Sequence, residues 1–182
     1  KEIKKYFPEV RSIICVAINY YNGDSKELHN NEFKISRYAW GEDYHIIIKN
    51  KLKKLLHYIQ VDLDLAIKGV ICVDTSPLLE KQWAKQAGLG WQGKNTLVLN
   101  DKFGSWMFLG ELLLDIELEY DRPFAKDLCG SCTACVDACP VNALTDYQLD
   151  ASKCISYLTV EHKDYFDSEQ KNKLNGWIYG CD

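Results

Sequence analysis

Cys129-Gly-Ser-Cys132-Thr-Ala-Cys135-Val-Asp-Ala-Cys139-Pro140 places four cysteines within twelve residues. The spacing C-x2-C-x2-C-x3-C-P is the iron–sulfur run in which three thiolates each take one corner of a 4Fe–4S cube. The fourth, before proline, ligates a second cluster. Gaps of two residues let a tight loop wrap a cube, and Gly130, Ser131, Thr133 and Ala134 keep the side chains beside it small. Structural zinc takes two separated C-x2-C knuckles, or mixes cysteine with histidine. None of the four histidines lies near this loop. A chain of 182 residues builds a core without disulfide staples, so oxidised pairs are not the natural reading either. The stretch predicts a module that moves electrons.

Counting ligands extends the inference. Cys129, Cys132 and Cys135 leave the first cube one ligand short, and Cys139 needs three partners for the second. Downstream stand Cys154 and Cys181, giving six ligands where two cubes need eight. Tyr179-Gly180-Cys181-Asp182 reads as the opening of another C-x2-C element, and the chain starts at Lys1. We therefore expect an internal fragment lacking both ends, with two ligands beyond Asp182.

Hydrophobic residues at 47% and charged residues at 26% are globular values. Apolar runs are too short to span a membrane. No targeting segment is visible. Eight cysteines in this pattern fit a reducing, cytoplasmic setting. A net charge of −4 excludes a generally basic nucleic-acid binder and leaves room for a local basic face. Cys15 and Cys72 sit in apolar runs and read as small core residues.

Ahead of the cysteines, Arg11–Tyr20 is β-branched and nearly continuous in apolar residues, as a buried strand should be. Ser25–Phe33 is a polar excursion. Across Asp43–Gln60, Tyr44, Ile47, Ile48, Leu52, Leu55, Leu56 and Ile59 recur at helical spacing. Lys49, Lys51, Lys53 and Lys54 fall mainly on the other faces, as a solvated surface or a phosphate contact. Val70–Val73 predicts a short strand, Leu78–Ala87 a helix stopped by Gly88, and Thr96–Leu99 and Phe103–Leu114 further strands. Gly88, Gly90 and Gly93 match neither G-x-G-x-x-G nor a P-loop. They read as a helix stop and tight turn, or as bare backbone that a flat cofactor can approach. Without a regular βαβ cadence, the fold class is α+β, a mixed, largely antiparallel sheet with flanking helices.

Several stretches together resemble one family. They are Ser36-Arg37-Tyr38-Ala39-Trp40-Gly41-Glu42-Asp43-Tyr44-His45, Val73-Asp74-Thr75, Ala87-Gly88-Leu89-Gly90-Trp91-Gln92-Gly93-Lys94-Asn95 and the cysteine run. Cys154-Ile155-Ser156-Tyr157-Leu158-Thr159 and Tyr179-Gly180-Cys181-Asp182 complete the set. The chain is similar throughout to epoxyqueuosine reductase, a cobalamin-dependent iron–sulfur enzyme of tRNA queuosine biosynthesis. The resemblance implies a flavin-reductase-like or cobalamin-processing-like domain over residues 1–122, and a ferredoxin-like two-cluster module over residues 123–182. Asp74 matches the family's proton donor, though an Asp before Thr-Ser-Pro is by itself more often a cap or turn former. An acid that works near neutral pH needs burial, and Val70, Ile71 and Val73 are suitable neighbours. Ser36, Asp74, Asn95, Val98, Leu109 and Ser156 match cobalamin contacts. With no D-x-H-x-x-G element, cobalt is expected without a histidine from the protein. Cys129, Cys132 and Cys135 match the first cluster, and Cys139, Cys154 and Cys181 the second. His162 and Lys163, beyond Ser156 on the expected substrate side, are candidate contacts to cofactor or tRNA, or a solvated helix face. Tyr38, Trp40 and Trp91 are candidate base-stacking groups, or core.

The implied partners are a tRNA bearing epoxyqueuosine in its anticodon loop and a low-potential donor of flavodoxin or ferredoxin type, with the protein a monomer away from membranes. Two other readings stand beside it. A corrinoid iron–sulfur reductive dehalogenase combines the same cofactors. A ferredoxin-type electron carrier accounts for the cysteines but gives the long stretch ahead of them no task.

Overall fold

The apolar run from Arg11 forms strand β1, Ser12–Asn19, in a computed structural model that describes residues 3–23 and 33–182. β1 pairs antiparallel with β3, Met107–Leu114, setting Ser12 opposite Leu114 and Asn19 opposite Met107. On its other edge β3 takes β2, Gly69–Cys72, again antiparallel, so the order is β1-β3-β2. The central strand is accordingly the most enclosed: Leu112, Leu113 and Leu114 expose nothing. Most of the Ser25–Phe33 excursion lies outside the described residues.

Helix α1, Tyr44–His57, lies on one face of this sheet and buries Ile48 and Leu52 with Leu112, Leu114 and Val73. The approach is close because β3 carries Gly110, whose added Cβ would stand 2.7 Å from Ile48 Cγ2. Phe7, Val10, Cys72 and Leu113 form a second buried group. The helix expected from Leu78 is shorter than its pattern suggested: α2 spans Glu80–Gln86. Residues ahead of it are spent in tight turns, with Thr75 N–H donating to Val73 O at 2.6 Å and Leu78 N–H to Ser76 O at 2.8 Å. Gly88, at φ +77°, ends α2.

The glycine loop follows packing. A Cβ at Gly90 would stand 2.0 Å from the carbonyl oxygen of Leu99, so the chains meet through bare backbone. Gly90→Ala is expected to destabilise the protein by about 2–3 kcal/mol, read as a lower Tm with unchanged secondary structure.

Contacts divide the chain into two compact units. One comprises residues 3–19, 42–91 and 98–126; the other comprises 20–23, 33–41, 92–97 and 127–182. The second has little regular structure. It contains α3, Ala134–Asp137, and α4, Ile155–Val160, with a small antiparallel hairpin at 144–149. Lys34–Ile35 pairs parallel with Trp177–Tyr179. The architecture is α+β with an antiparallel principal sheet, as expected. No helix among the described residues is long and apolar enough to cross a membrane.

Candidate functional site

In the first unit, the end of β2 delivers Asp74 into a turn at φ +55°, a left-handed conformation that Asp tolerates better than most residues. Its backbone N–H donates to Glu80 Oε1 at 2.5 Å, and its Oδ2 lies 3.2 Å from His45 Nε2. His45 is set by the start of α1. Asp43 caps that helix by accepting the His45 N–H at 2.8 Å, and the same oxygen is 2.7 Å from His45 Nδ1. The imidazole is thus bracketed by two carboxylates. Partial burial pulls its pKa down, but hydrogen bonds to Asp43 and Asp74 and their charges outweigh this and raise it. The bond to His45 holds Asp43 below the usual carboxylate range.

Asp74 is therefore a turn former and not the cap of α2, which is Leu79. Its side chain is 59% exposed, because it stands past the strand end, whereas Val73 just before it is fully buried. The expected apolar enclosure is not built from Val70, Ile71 and Val73. The protein instead supplies an imidazole with a raised affinity for protons.

Behind this turn lies a second acid. Glu111 interrupts an apolar strand, is 0% exposed, and stands opposite Cys15 on β1 and Cys72 on β2. Burial, then the charge and hydrogen bonding of Glu80, push its carboxyl up to about 8. Burial raises Glu80 as well. With both carboxyls ionised, neither oxygen of Glu111 finds a donor. Burial, with the charges of Glu111 and Glu80, pushes Cys15 up to about 12 and also raises Cys72. Cys72 is a core group, as its apolar setting indicated, whereas Cys15 is half-buried on β1.

In the second unit, Cys129, Cys132 and Cys135 follow one another through a turn into α3, with Cys132 N–H donating to Cys129 O at 2.9 Å. Gly130 enters this turn at φ +47° with open space where a Cβ would stand. Asp127 receives the Cys129 N–H at 2.9 Å and the Tyr147 hydroxyl. Buried Lys94 bonds Asp146 at 2.9 Å, and Cys129 and Cys132 stand close enough to act on its charge. Cys139 Sγ accepts the Ala143 N–H at 3.2 Å, a bond of the kind that tunes a cluster sulfur. Cys181 is raised to about 11 by burial, then by Cys154 and Cys139, so these three thiols share one neighbourhood. Among the described residues no three metal-ligating groups converge on a single-ion site. A four-iron cube sets its thiolates wider apart than one ion does.

The remaining candidates divide between the units. Val98 is buried, and Leu109 stands on β3 opposite Ala17, both in the first unit. Ser36, Asn95 and Ser156 belong to the second. Ser36 is fully enclosed, its Oγ 2.3 Å from where a Gly180 Cβ would stand, and its N–H donates to Tyr179 O at 2.9 Å. Ser156 hydrogen-bonds Tyr38, whose ring lies 5.9 Å from Tyr179. Asn95 Oδ1 accepts the Leu97 N–H at 3.1 Å. His162 stacks on Phe166, and Lys163 is exposed. Trp91 is core, stacked on Phe124, while Trp40 is half-buried beside the Arg37 guanidinium. His45, Glu80, Glu111 and Lys94 were not singled out from sequence. The available signals were Asp-x-His at a helix start and a carboxylate inside an apolar strand.

Residues 1–75 match the family model described as "Epoxyqueuosine reductase QueG, DUF1730", and residues 128–182 match a "4Fe-4S double cluster binding domain". An epoxyqueuosine reductase of Leadbetterella byssophila is 48% identical over 98% of this chain, which spans 58% of that relative. The solved epoxyqueuosine reductase of Streptococcus thermophilus superposes with a TM-score of 0.88 at 35% identity, covering 99% of this chain and 49% of its own. A structure of such a reductase with an epoxyqueuosine-modified tRNA-Tyr stem loop gives 0.84 at 32%, covering 98% and 48%. The Bacillus subtilis structure, whose catalytic aspartate loop is swung out of its active site, gives 0.87 at 31% over the same shares.

Proposed function

We propose, from the premise that this chain belongs to the epoxyqueuosine reductase family, that it forms the catalytic and cluster-binding part of an enzyme converting epoxyqueuosine in tRNA to queuosine. Turning an epoxide into an alkene breaks both C–O bonds, consumes two electrons and two protons, and releases the oxygen as water. The observation that carries the reading is the Asp74 carboxylate held against His45, itself bonded to Asp43. Asp74, protonated through His45, donates one proton to the departing oxygen, and a second proton passed by the same route completes the water. The solved relative whose catalytic aspartate loop swings supports a turn that presents this acid.

Cobalamin, when bound, supplies a strongly reduced cobalt that delivers the two electrons. The residues fit it in one testable respect: both ring nitrogens of His45 are engaged by carboxylates, which keeps that histidine away from cobalt. Asn95 and Ser156 would offer polar contacts, and Val98 and Leu109 apolar ones. Ser36 would be a further contact through its own unit, where it is enclosed beneath Gly180. Cys129, Cys132 and Cys135 hold one 4Fe–4S cluster, and Cys139, Cys154 and Cys181 hold the other. A flavodoxin or ferredoxin feeds them, and the enzyme works as a cytoplasmic monomer on tRNA. His162 and Lys163 would contact cofactor or tRNA. The relative solved with a modified stem loop supports that substrate.

The buried Lys94 charge favours the reduced form of the first cluster. Lys94→Met is expected to lower that cluster's potential by on the order of tens of millivolts, measured by an electron paramagnetic resonance titration.

The direct test uses the full-length protein purified without oxygen, loaded with cobalamin and chemically reduced. Incubated with an epoxyqueuosine stem loop, it should yield queuosine on nucleoside mass spectrometry. A reduced, cobalamin-loaded sample that leaves the stem loop unchanged overturns the assignment. Turnover of a haloarene in its place would mark a reductive dehalogenase, and failure to take up cobalamin would mark an electron carrier.

A further inference from the structure

We propose that Glu80 and Glu111 share a single proton and, as positioning residues, lock the Asp74 turn in the conformation that presents its carboxylate. The inference rests on the reading of Asp74 as proton donor and extends it to two residues that touch no substrate. Asp74 stands at φ +55°, a region sparsely populated by non-glycine residues, so something must hold it there. The Glu80 carboxylate does so by accepting the Asp74 N–H at 2.5 Å from the first residue of α2.

Glu111 lies behind Glu80, closed from water and flanked across the sheet by Cys15 and Cys72. Two adjacent ionised carboxylates there repel, and Glu111, being acceptor-only, has no donor. One proton between the two carboxyls supplies that hydrogen bond and removes the repulsion. Glu80 then keeps an oxygen for the Asp74 amide. The groups facing the pair are His45 from α1, Asp74 from the turn, Cys15 from β1, Cys72 from β2 and Lys81 from α2. Both thiols are raised and stay neutral, so they neither add charge nor take the shared proton.

The test uses the full-length, cofactor-loaded enzyme with Glu80→Ala, Glu80→Gln, Glu111→Gln and Asp74→Asn. Infrared spectra of the wild type should show a protonated carboxyl band at pH 6 that fades towards pH 9 and is missing in Glu111→Gln. Glu80→Ala should speed hydrogen exchange at the Asp74 amide about tenfold or more and lower kcat about tenfold with KM little changed. Glu80→Gln, whose amide oxygen still accepts the N–H, should recover most of both. Wild-type kcat should fall above about pH 8, and Glu111→Gln, a fixed neutral partner, should flatten that fall. Absence of the band at pH 6, or unchanged Asp74 exchange in Glu80→Ala, overturns the proposal. If Glu80→Ala does not fold, the band and the Glu111→Gln profile decide. Full activity in Asp74→Asn would remove the donor reading instead, leaving exchange and infrared to judge the lock separately.

Discussion

Asp74→Asn is expected to lower kcat by about a thousandfold while cobalamin uptake and both cluster spectra stay as in the wild type. Asparagine keeps the size of the side chain and tolerates the same left-handed turn, so the Glu80 contact to the backbone survives. The change removes only the acid. His45 keeps its bond to Asp43 but loses the carboxylate at 3.2 Å that it would recharge. The measurement is single-turnover conversion of a modified stem loop by pre-reduced enzyme, which separates protonation from electron supply. His45→Gln should show a smaller loss, because water reaches the exposed Asp74 carboxylate slowly but directly. A wild-type single-turnover rate in Asp74→Asn would exclude this residue from proton transfer.

Cys139→Ala should abolish turnover and remove about half of the iron from the full-length enzyme, while the first cluster persists. Cys139 Sγ already takes the Ala143 amide, and Cys181 shares its electrostatic neighbourhood with Cys139 and Cys154, so one lost thiolate opens a site built from distant segments. Cys72→Ala is the matched control. That thiol is buried beside Glu111, and its removal should leave iron and spectra unchanged. Equal iron in Cys139→Ala and wild type would show that the ligand set is wrong.

Why the cysteine loop was legible and the acid pair was not follows from the range of the forces involved. Ligand spacing is a local property, as is the 3.6-residue recurrence of Tyr44, Ile48, Leu52 and Leu55 that produced α1 with its Asp43 cap. β1, β2 and β3 were readable because strands enclosed in a sheet need continuous apolar side chains. Glu111 breaks that rule inside β3. Pattern reasoning places a carboxylate at the surface, and only the register that sets it between Cys15 and Cys72 reveals its burial. α2 began later than the proline start signal implied because Pro77 and its neighbours spent their backbone in turns. The parallel pairing of Lys34–Ile35 with Trp177–Tyr179 joins segments far apart in the chain, and so does the approach of Lys94 to Cys129. No local composition encodes either.

The carboxyl enclosed in β3 also couples folding to alkalinity. Its pKa rises from 4.5 to about 8 in the native chain, so the native form retains a proton that the denatured form releases above pH 4.5. With more protons on the native side across that interval, this group's contribution to stability declines as pH climbs from about 4.5 to about 8 and levels off beyond. Melting scans should show Tm sliding downward across that window in the wild type and sliding less in Glu111→Gln. An interior acid of this kind makes mild acidity, rather than base, the condition in which the scaffold withstands heat best.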